Sequence, residues 1–189
     1  YNAFPGGLVD YILKVTKYGI NLNDILPNTQ KVDKTSIIKV CFLHQLGKVR
    51  LYKPCESEWH RKNQGSLWNL NPELNWMPVQ HRSLWLLQQH DIKFSENEMI
   101  AIMVHDGLYD DANTQYFKHY NSDRNFKTNM PLVLHQADLM ASKIEGEINK
   151  VGSEIKKASN SKHKKKSLDT ATANKSVDDI FSGLFGESK

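Results

Sequence analysis

An imidazole, an amide and an ammonium follow one apolar run in FLHQLGKV, residues 42–49: His44, Gln45 and Lys48. A divalent metal ion needs several imidazole or carboxylate ligands converging from different helices. Once held, the ion lowers the pKa of a bound water and clamps a phosphate oxygen. Gln45 stands beside His44 where such chemistry asks for a negative charge. It offers a neutral carbonyl oxygen instead. Asp138, in the apolar run LHQADLMAS at 134–142, is the carboxylate of interest. If buried it must be paired or hydrogen-bonded, and a bond to His44 would satisfy both without a metal. His44 is therefore read in two ways, as a remnant of a metal site or as a hydrogen-bonded core histidine. Lys48, after the glycine of LGK, is placed either to meet a phosphate or to sit solvated past a helix end. His60, His90 and His119 lie in polar surroundings and are given no role.

The elements that must position these groups follow from periodicity. GLVDYILKVTKYG carries Leu8, Ile12, Val15 and Tyr18 at helical spacing, with Gly19 expected at its end. TSIIKVCFLHQLGK reads as a second helix, buried on most faces. Residues 60–78, rich in Asn, Gly and Trp, predict an irregular loop or hairpin, and a short β-hairpin fits within 49–77. VQHRSLWLLQQHD is helical. SENE at 95–98 is a capping box opening ENEMIAIMVHDG, whose Gly107 suits a left-handed cap. Residues 106–125 are polar and expected as loop. A last long helix starts near Pro131. The expected fold class is all-α with a short hairpin, and there is no internal repeat.

Composition bounds the rest. Hydrophobic residues make up 39% of 189, enough for a core in one domain of residues 1–150. No run of about 18 apolar residues and no signal-peptide pattern is present, which excludes a membrane partner and predicts a cytoplasmic protein. The chain opens on Tyr1, so residues ahead of it are expected. Cys41 and Cys55 have no zinc spacing, and Cys41 reads as a small core residue. Residues 150–175 hold eight lysines against two acids, so the formal net charge of +4 belongs to a linker. Residues 158–175 have little apolar content, and the expectation is a flexible basic linker at 151–175.

The runs YNAFPGGLVDY, FLHQLGKV, MVHDGLY and LHQADLMAS, in that order, resemble the HD-domain metal-dependent phosphohydrolase family, phage members above all. The resemblance covers roughly residues 1–150. It implies an HD-domain helical bundle with a metal site at its centre. The family's core ligands are a histidine, an adjacent His-Asp and an aspartate, which fall at Tyr11, His44, Gln45 and Asp138. Tyr11 is a poor ligand at neutral pH, since a phenol titrates near 10. Tyr1 likewise stands where relatives carry histidine. Two-metal members carry further histidines, which fall at His81 and His105, and each of these also reads as a structural relic. The implied reading is a pseudoenzyme with no cofactor. The alternative is an active phosphohydrolase acting on nucleotides or nucleic acid with weakly bound Mn or Mg.

The tail, residues 176–189, carries a second pattern. In KSVDDIFSGLFGESK, Val177, Ile180, Phe181, Leu184 and Phe185 fall at i, i+3, i+4, i+7 and i+8, one face of a short helix. Ser176 suits the N-cap. An apolar stripe on a tether is expected to dock, either in a partner's groove or on its own domain. The segment resembles the C-terminal sliding-clamp-binding tails of DNA polymerases and late-transcription factors of large tailed phages. That resemblance implies a protein partner, a DNA sliding clamp, in the cytoplasm of an infected bacterial host during DNA replication or transcription. Lys164, Lys165 and Lys166 would add non-specific phosphate contacts with DNA on the clamp.

Overall fold

The computed structural model describes residues 6–65, 67–119 and 121–162. The chain divides into two compact units, residues 1–149 and 150–189. The first unit is mostly helical. Its α-helices are α1 (Gly7–Ile25), α2 (Lys34–Leu43), α3 (Glu58–Asn63), α4 (Val79–Gln89), α5 (Glu96–Met103) and α6 (Thr114–Phe117), and α7 (Met130–Lys162) begins in it. Two short strands, β1 (Tyr52–Pro54) and β2 (Trp68–Leu70), form an antiparallel hairpin in the register Tyr52↔Leu70 and Pro54↔Trp68. The expected all-α class with a hairpin is what the chain adopts.

The core forms where apolar stripes of five helices meet. Val15 of α1, Ile37, Val40 and Cys41 of α2, Leu87 of α4, Ala101 and Ile102 of α5, and Leu134, Ala137 and Ala141 of α7 are buried together. α1 does not end at Gly19. It runs six residues further because Gly19 faces α2, where a Cβ would come within 2.8 Å of Cys41 Sγ. A larger residue would push the two helices apart, so this glycine is a contact point between helices. In the last turn of α1, the Asn23 side chain binds both backbone groups of Val32 at 2.9 Å and folds the connection back. The Asp33 carboxylate then caps α2 at the N–H of Ser36. Ser95 and Glu98 form the expected capping box at α5. Glu98 also meets Lys39 of α2 at 2.8 Å and so ties the two helices together.

Three further stretches differ from the sequence reading. α2 stops at Leu43, and residues 46–48 turn as a 3₁₀ segment rather than continuing the helix. Residues 106–125 are expected as loop, yet they form short helical turns at 107–109, 111–113 and 122–124 around α6. Asp110 and Asn121 cap two of these turns, so polar composition here marks local caps rather than absence of structure. α7 continues through Lys162, so the first part of the basic segment is helical. Residues 163–189, with Lys164, Lys165, Lys166, Val177, Ile180, Phe181, Leu184 and Phe185, lie outside the described residues. No helix among the described residues is long and apolar enough to cross a membrane.

The turn after α2 is braced by α4. The N–H of Gly47 donates to Ser83 Oγ at 2.8 Å, and Arg82 Nε donates to the Gly47 carbonyl at 3.0 Å. A Cβ on Gly47 would collide with the Val79 carbonyl. Gly47→Ala is expected to lower stability by about 1–3 kcal/mol, the usual effect of overpacking. Gly146→Ala in α7, where a Cβ meets nothing within 4 Å, is expected to be neutral or stabilising by up to about 1 kcal/mol. Urea unfolding of the two variants checks the contrast.

Candidate functional site

Two helix ends deliver the two central imidazoles in the same manner. His44 caps α2, and its Nδ1 lies 2.8 Å from the carbonyl of Cys41, three residues back. His105 follows α5, and its Nδ1 lies 2.8 Å from the carbonyl of Ile102, again three residues back. Both rings are buried and meet edge to face, with centroids 5.0 Å apart. Each helix ends in time to turn its histidine inward, and the turns at Gly47 and Gly107 make room for this. Gly107 takes φ of 56°, and a Cβ there would strike the His135 ring.

Asp138 of α7 closes the cluster. Its Oδ1 lies 2.9 Å from His44 Nε2 and accepts the Tyr11 hydroxyl at 2.8 Å. The same hydroxyl reaches the Asp138 backbone carbonyl at 3.1 Å. Burial alone would raise the carboxyl's pKa. The bond and charge of His44, then His105 and Tyr11, outweigh it and hold the group at about 2. The Cys41 thiol behaves oppositely. Burial and then the charge of Asp138 push it up to about 12, which leaves it a small core residue. Burial lowers the His105 pKa, and the neighbouring His44 lowers it further, so the neutral ring is favoured.

Gln45 turns its amide into the cluster rather than out of it. Its Nε2 lies 3.3 Å from His105 Nε2, while its Oε1 is buried without a hydrogen-bond partner. Lys48 reaches back over the Tyr11 ring, with Nζ 5.8 Å from its centroid. Burial lowers its pKa, and Asp138 and Asp106 partly offset that. Tyr11, His44, Gln45, His105, Asp138 and Lys48 therefore share one neighbourhood. His81 does not join them. It sits exposed on α4, whose buried face is instead Gln80, Arg82, Ser83 and Leu87.

A cleft of about 200 Å³ opens beside the cluster, lined by His105, Asp106, Tyr109, His135, Asp138 and Lys143 among others. His135 was not singled out from the sequence. It donates from Nδ1 to the His105 carbonyl at 2.8 Å and so holds the second helix end in place. The one signal for it was its position three residues before Asp138 on a helix, which puts both on one face. The bracing role of Ser83 had no sequence signal, since a serine in mid-helix ordinarily faces solvent.

Compared with protein-family models, with curated proteins and with solved structures, the chain matches none of them. The site must therefore be read from its donors. His44, His105 and Asp138 each place a ligand atom within 4.8 Å of the others. Magnesium and manganese favour sites rich in carboxylate and carbonyl oxygen. A single carboxylate, already accepting from Tyr11 and paired with His44, does not fit that requirement.

The depressed Asp138 pKa fixes a pH dependence. The folded value of about 2 lies below the ordinary 3.8, so the carboxylate contributes stability that is full above about pH 4. That contribution falls away as the pH drops from 4 towards 2. It amounts to on the order of 2 kcal/mol. Asp138→Asn is expected to lack this acid limb, as measured by urea midpoints between pH 5 and 2. His105 adds a limb of the same sign nearer neutrality. Its folded pKa is lowered, so its contribution is present above about 6.5 and is lost as pH falls below it.

Proposed function

We propose that this chain is a binding factor built on a degenerate HD-type domain, acting in phage DNA replication or transcription by docking a sliding clamp through its C-terminal segment. The observation that carries the first half is the Tyr11 hydroxyl on the Asp138 carboxylate. A phenol takes the place where the resemblance implies a ligand histidine, and it consumes the carboxylate that remains. Gln45 removes the other negative charge and turns to His105. Ligand count and charge fall together, which argues against efficient metal-dependent hydrolysis. The Tyr11, His44 and Asp138 bonds still join α1, α2 and α7, which supports a domain kept as a scaffold. The second half rests on the apolar stripe of Val177, Ile180, Phe181, Leu184 and Phe185 and its likeness to clamp-binding tails. Helix-in-groove docking is the mode such a stripe suits. The runner-up, a divalent-metal phosphohydrolase acting on nucleotides or nucleic acid, draws on the cleft beside Asp138.

Restoring ligands separates the two readings. Wild-type protein is expected to bind Mn²⁺ and Mg²⁺ weakly or not at all in calorimetric titration at pH 7.5. Tyr11→His combined with Gln45→Asp is expected to raise Mn²⁺ affinity more than the two single changes predict together, because both act on one ion. A tight stoichiometric Mn²⁺ site in the wild type that vanishes in His44→Ala would overturn the degenerate reading.

The tail has its own test. Aromatic anchors in a docking helix each contribute about 2 kcal/mol or more on truncation. A peptide of residues 175–189 is expected to bind the clamp in the micromolar range, since the helix must order on binding. Phe181→Ala with Phe185→Ala should abolish this in fluorescence polarisation while the full-length variant stays folded. Alanine at Lys164, Lys165 and Lys166 should weaken binding only when DNA is on the clamp, and more at low salt. A clamp that ignores both peptide and full chain sinks the partner assignment.

A further inference from the structure

The hairpin lobe between Arg50 and Leu70 adds no side chain to the Asp138 cluster. Its root is buried, at Leu51, Cys55 and Asn71. The N–H of Cys55 donates to the Leu67 carbonyl at 2.9 Å, and that of Asn71 to the Leu51 carbonyl at 2.8 Å. The Asn71 side chain also donates to the Arg50 carbonyl at 3.1 Å. Beyond this root the lobe turns its rings outward. α3 has no buried residue, and its Trp59 is 61% exposed. The register pairs Tyr52 with Leu70 and Pro54 with Trp68, so alternation puts all four on one face of the hairpin. That face is uncovered: Trp68 is 41% exposed, Tyr52 49% and Leu70 53%. Apolar side chains exposed singly need no explanation, but a whole sheet face of them marks a binding surface.

The local charge indicates what covers it. Residues 1–149 balance 16 basic against 16 acidic side chains. Residues 50–70 instead hold Arg50, Lys53, Arg61 and Lys62 against Glu56 and Glu58. Cations stand close to the rings in sequence, with Arg50 and Lys53 around Tyr52, and Arg61 and Lys62 after Trp59 in the last turn of α3. Lys62 pairs with Glu58 at 3.1 Å and Lys53 with Glu73 at 2.7 Å. Both pairs face water, where such bonds are weak, so an anion can compete for either cation. Outward rings interleaved with cations suit a single strand, whose phosphates meet the charges while its bases stack on the rings. A duplex keeps its bases stacked on one another and has no free face to offer. A protein partner would accept the rings but would not need the excess of cations.

We propose that this lobe binds single-stranded nucleic acid, with bases stacked on Tyr52, Trp59 and Trp68 and phosphates met by Arg50, Arg61 and Lys62. Tyr52 and Trp68 are diagonal neighbours across the hairpin, about 7–8 Å apart by strand geometry, so each takes its own base. Binding is tolerant of sequence, because every base has a face to stack. The lobe is separate from both the Asp138 cluster and the tail, so the inference goes beyond the reading above and does not rest on it.

The test uses full-length protein with alanine at Lys164, Lys165 and Lys166, which removes a rival source of affinity for phosphates. The probes are labelled oligo(dT), oligo(rU) and a DNA duplex, each of about 15 nucleotides per strand, within the span of a single-strand site. At low salt at least one single strand should bind more tightly than the duplex and quench tryptophan fluorescence, and the tighter of the two identifies DNA or RNA as the strand. Trp59→Ala and Trp68→Ala should each weaken binding by about 5-fold or more, while Trp68→Phe keeps most of it. Arg61→Ala should reduce the slope of log affinity against log salt by about 0.7, the share of one phosphate contact on a single strand. Trp85→Phe, on α4, should leave affinity unchanged. If Trp68→Ala does not fold by circular dichroism, Trp59→Ala and Arg61→Ala on exposed α3 decide. Failure to bind either strand overturns the proposal, as does a preference for the duplex or an unchanged affinity in folded Trp59→Ala with Trp68→Ala. A dimer in sedimentation that Trp68→Ala dissolves, with no strand bound, overturns it in favour of a second copy on this face. None of these outcomes bears on clamp docking by the tail.

Discussion

A buried carboxylate on a core helix sets the terms for everything around it. Asp138 sits on α7 between Ala137 and Leu139, one residue from the packed core, and its side chain is 15% exposed. Such a group is costly unless it is paired and hydrogen-bonded. The chain meets this with two partners from two other helices, Tyr11 of α1 and His44 at the end of α2. The apolar contacts of Val15, Ile37, Val40 and Ala141 bring those helices close, and the hydrogen bonds to Asp138 fix how they are aligned. Hydrophobic burial is indifferent to direction, and a two-bond carboxylate is not.

Alignment in turn depends on where helices stop. His44 and His105 would point elsewhere if α2 and α5 each ran one turn further. Both helices instead end in short segments whose glycines admit a neighbour: the Val79 carbonyl at Gly47 and the His135 ring at Gly107. The carbonyls freed at the end of α2 are taken up by α4, through Ser83 on His44 and Arg82 on Gly47 and Val49. α4 thus adds no side chain to the cluster, and yet it holds the end of α2 that carries His44. His135 does the same for the end of α5.

This explains which parts of the site were legible in the sequence. The start of α5 was, because Ser95 and Glu98 cap it through side chains that the sequence displays. His44 and Asp138 were, because a polar residue in an apolar run stands out. Gly19 was misread as a stop because a glycine admitting a close helix looks the same, in one dimension, as a glycine ending one. His81 was carried over by position, and only the rotation of α4 shows that it faces solvent while Gln80 and Ser83 face inward. The bracing roles of Ser83 and His135 are tertiary facts, fixed by which helices meet, and no local pattern carries them.

Tyr11 and Gln45 set the chemistry of the cluster through hydrogen bonds rather than through charge. A histidine at position 11 would bring a lone pair to an ion, whereas tyrosine brings a hydroxyl hydrogen to the carboxylate that an ion would otherwise hold. Through that hydroxyl Tyr11 ties α1 to α7. Gln45 works in the same sense. An aspartate there would place a second negative charge near Asp138, which only a cation could balance. The amide instead donates to His105 and needs no counter-charge. Both Tyr11 and Gln45 thus act through directed hydrogen bonds that bring no charge into the cluster. The amide that turns its Nε2 to His105 leaves its other end without a partner, since Gln45 Oε1 is buried and accepts no hydrogen bond.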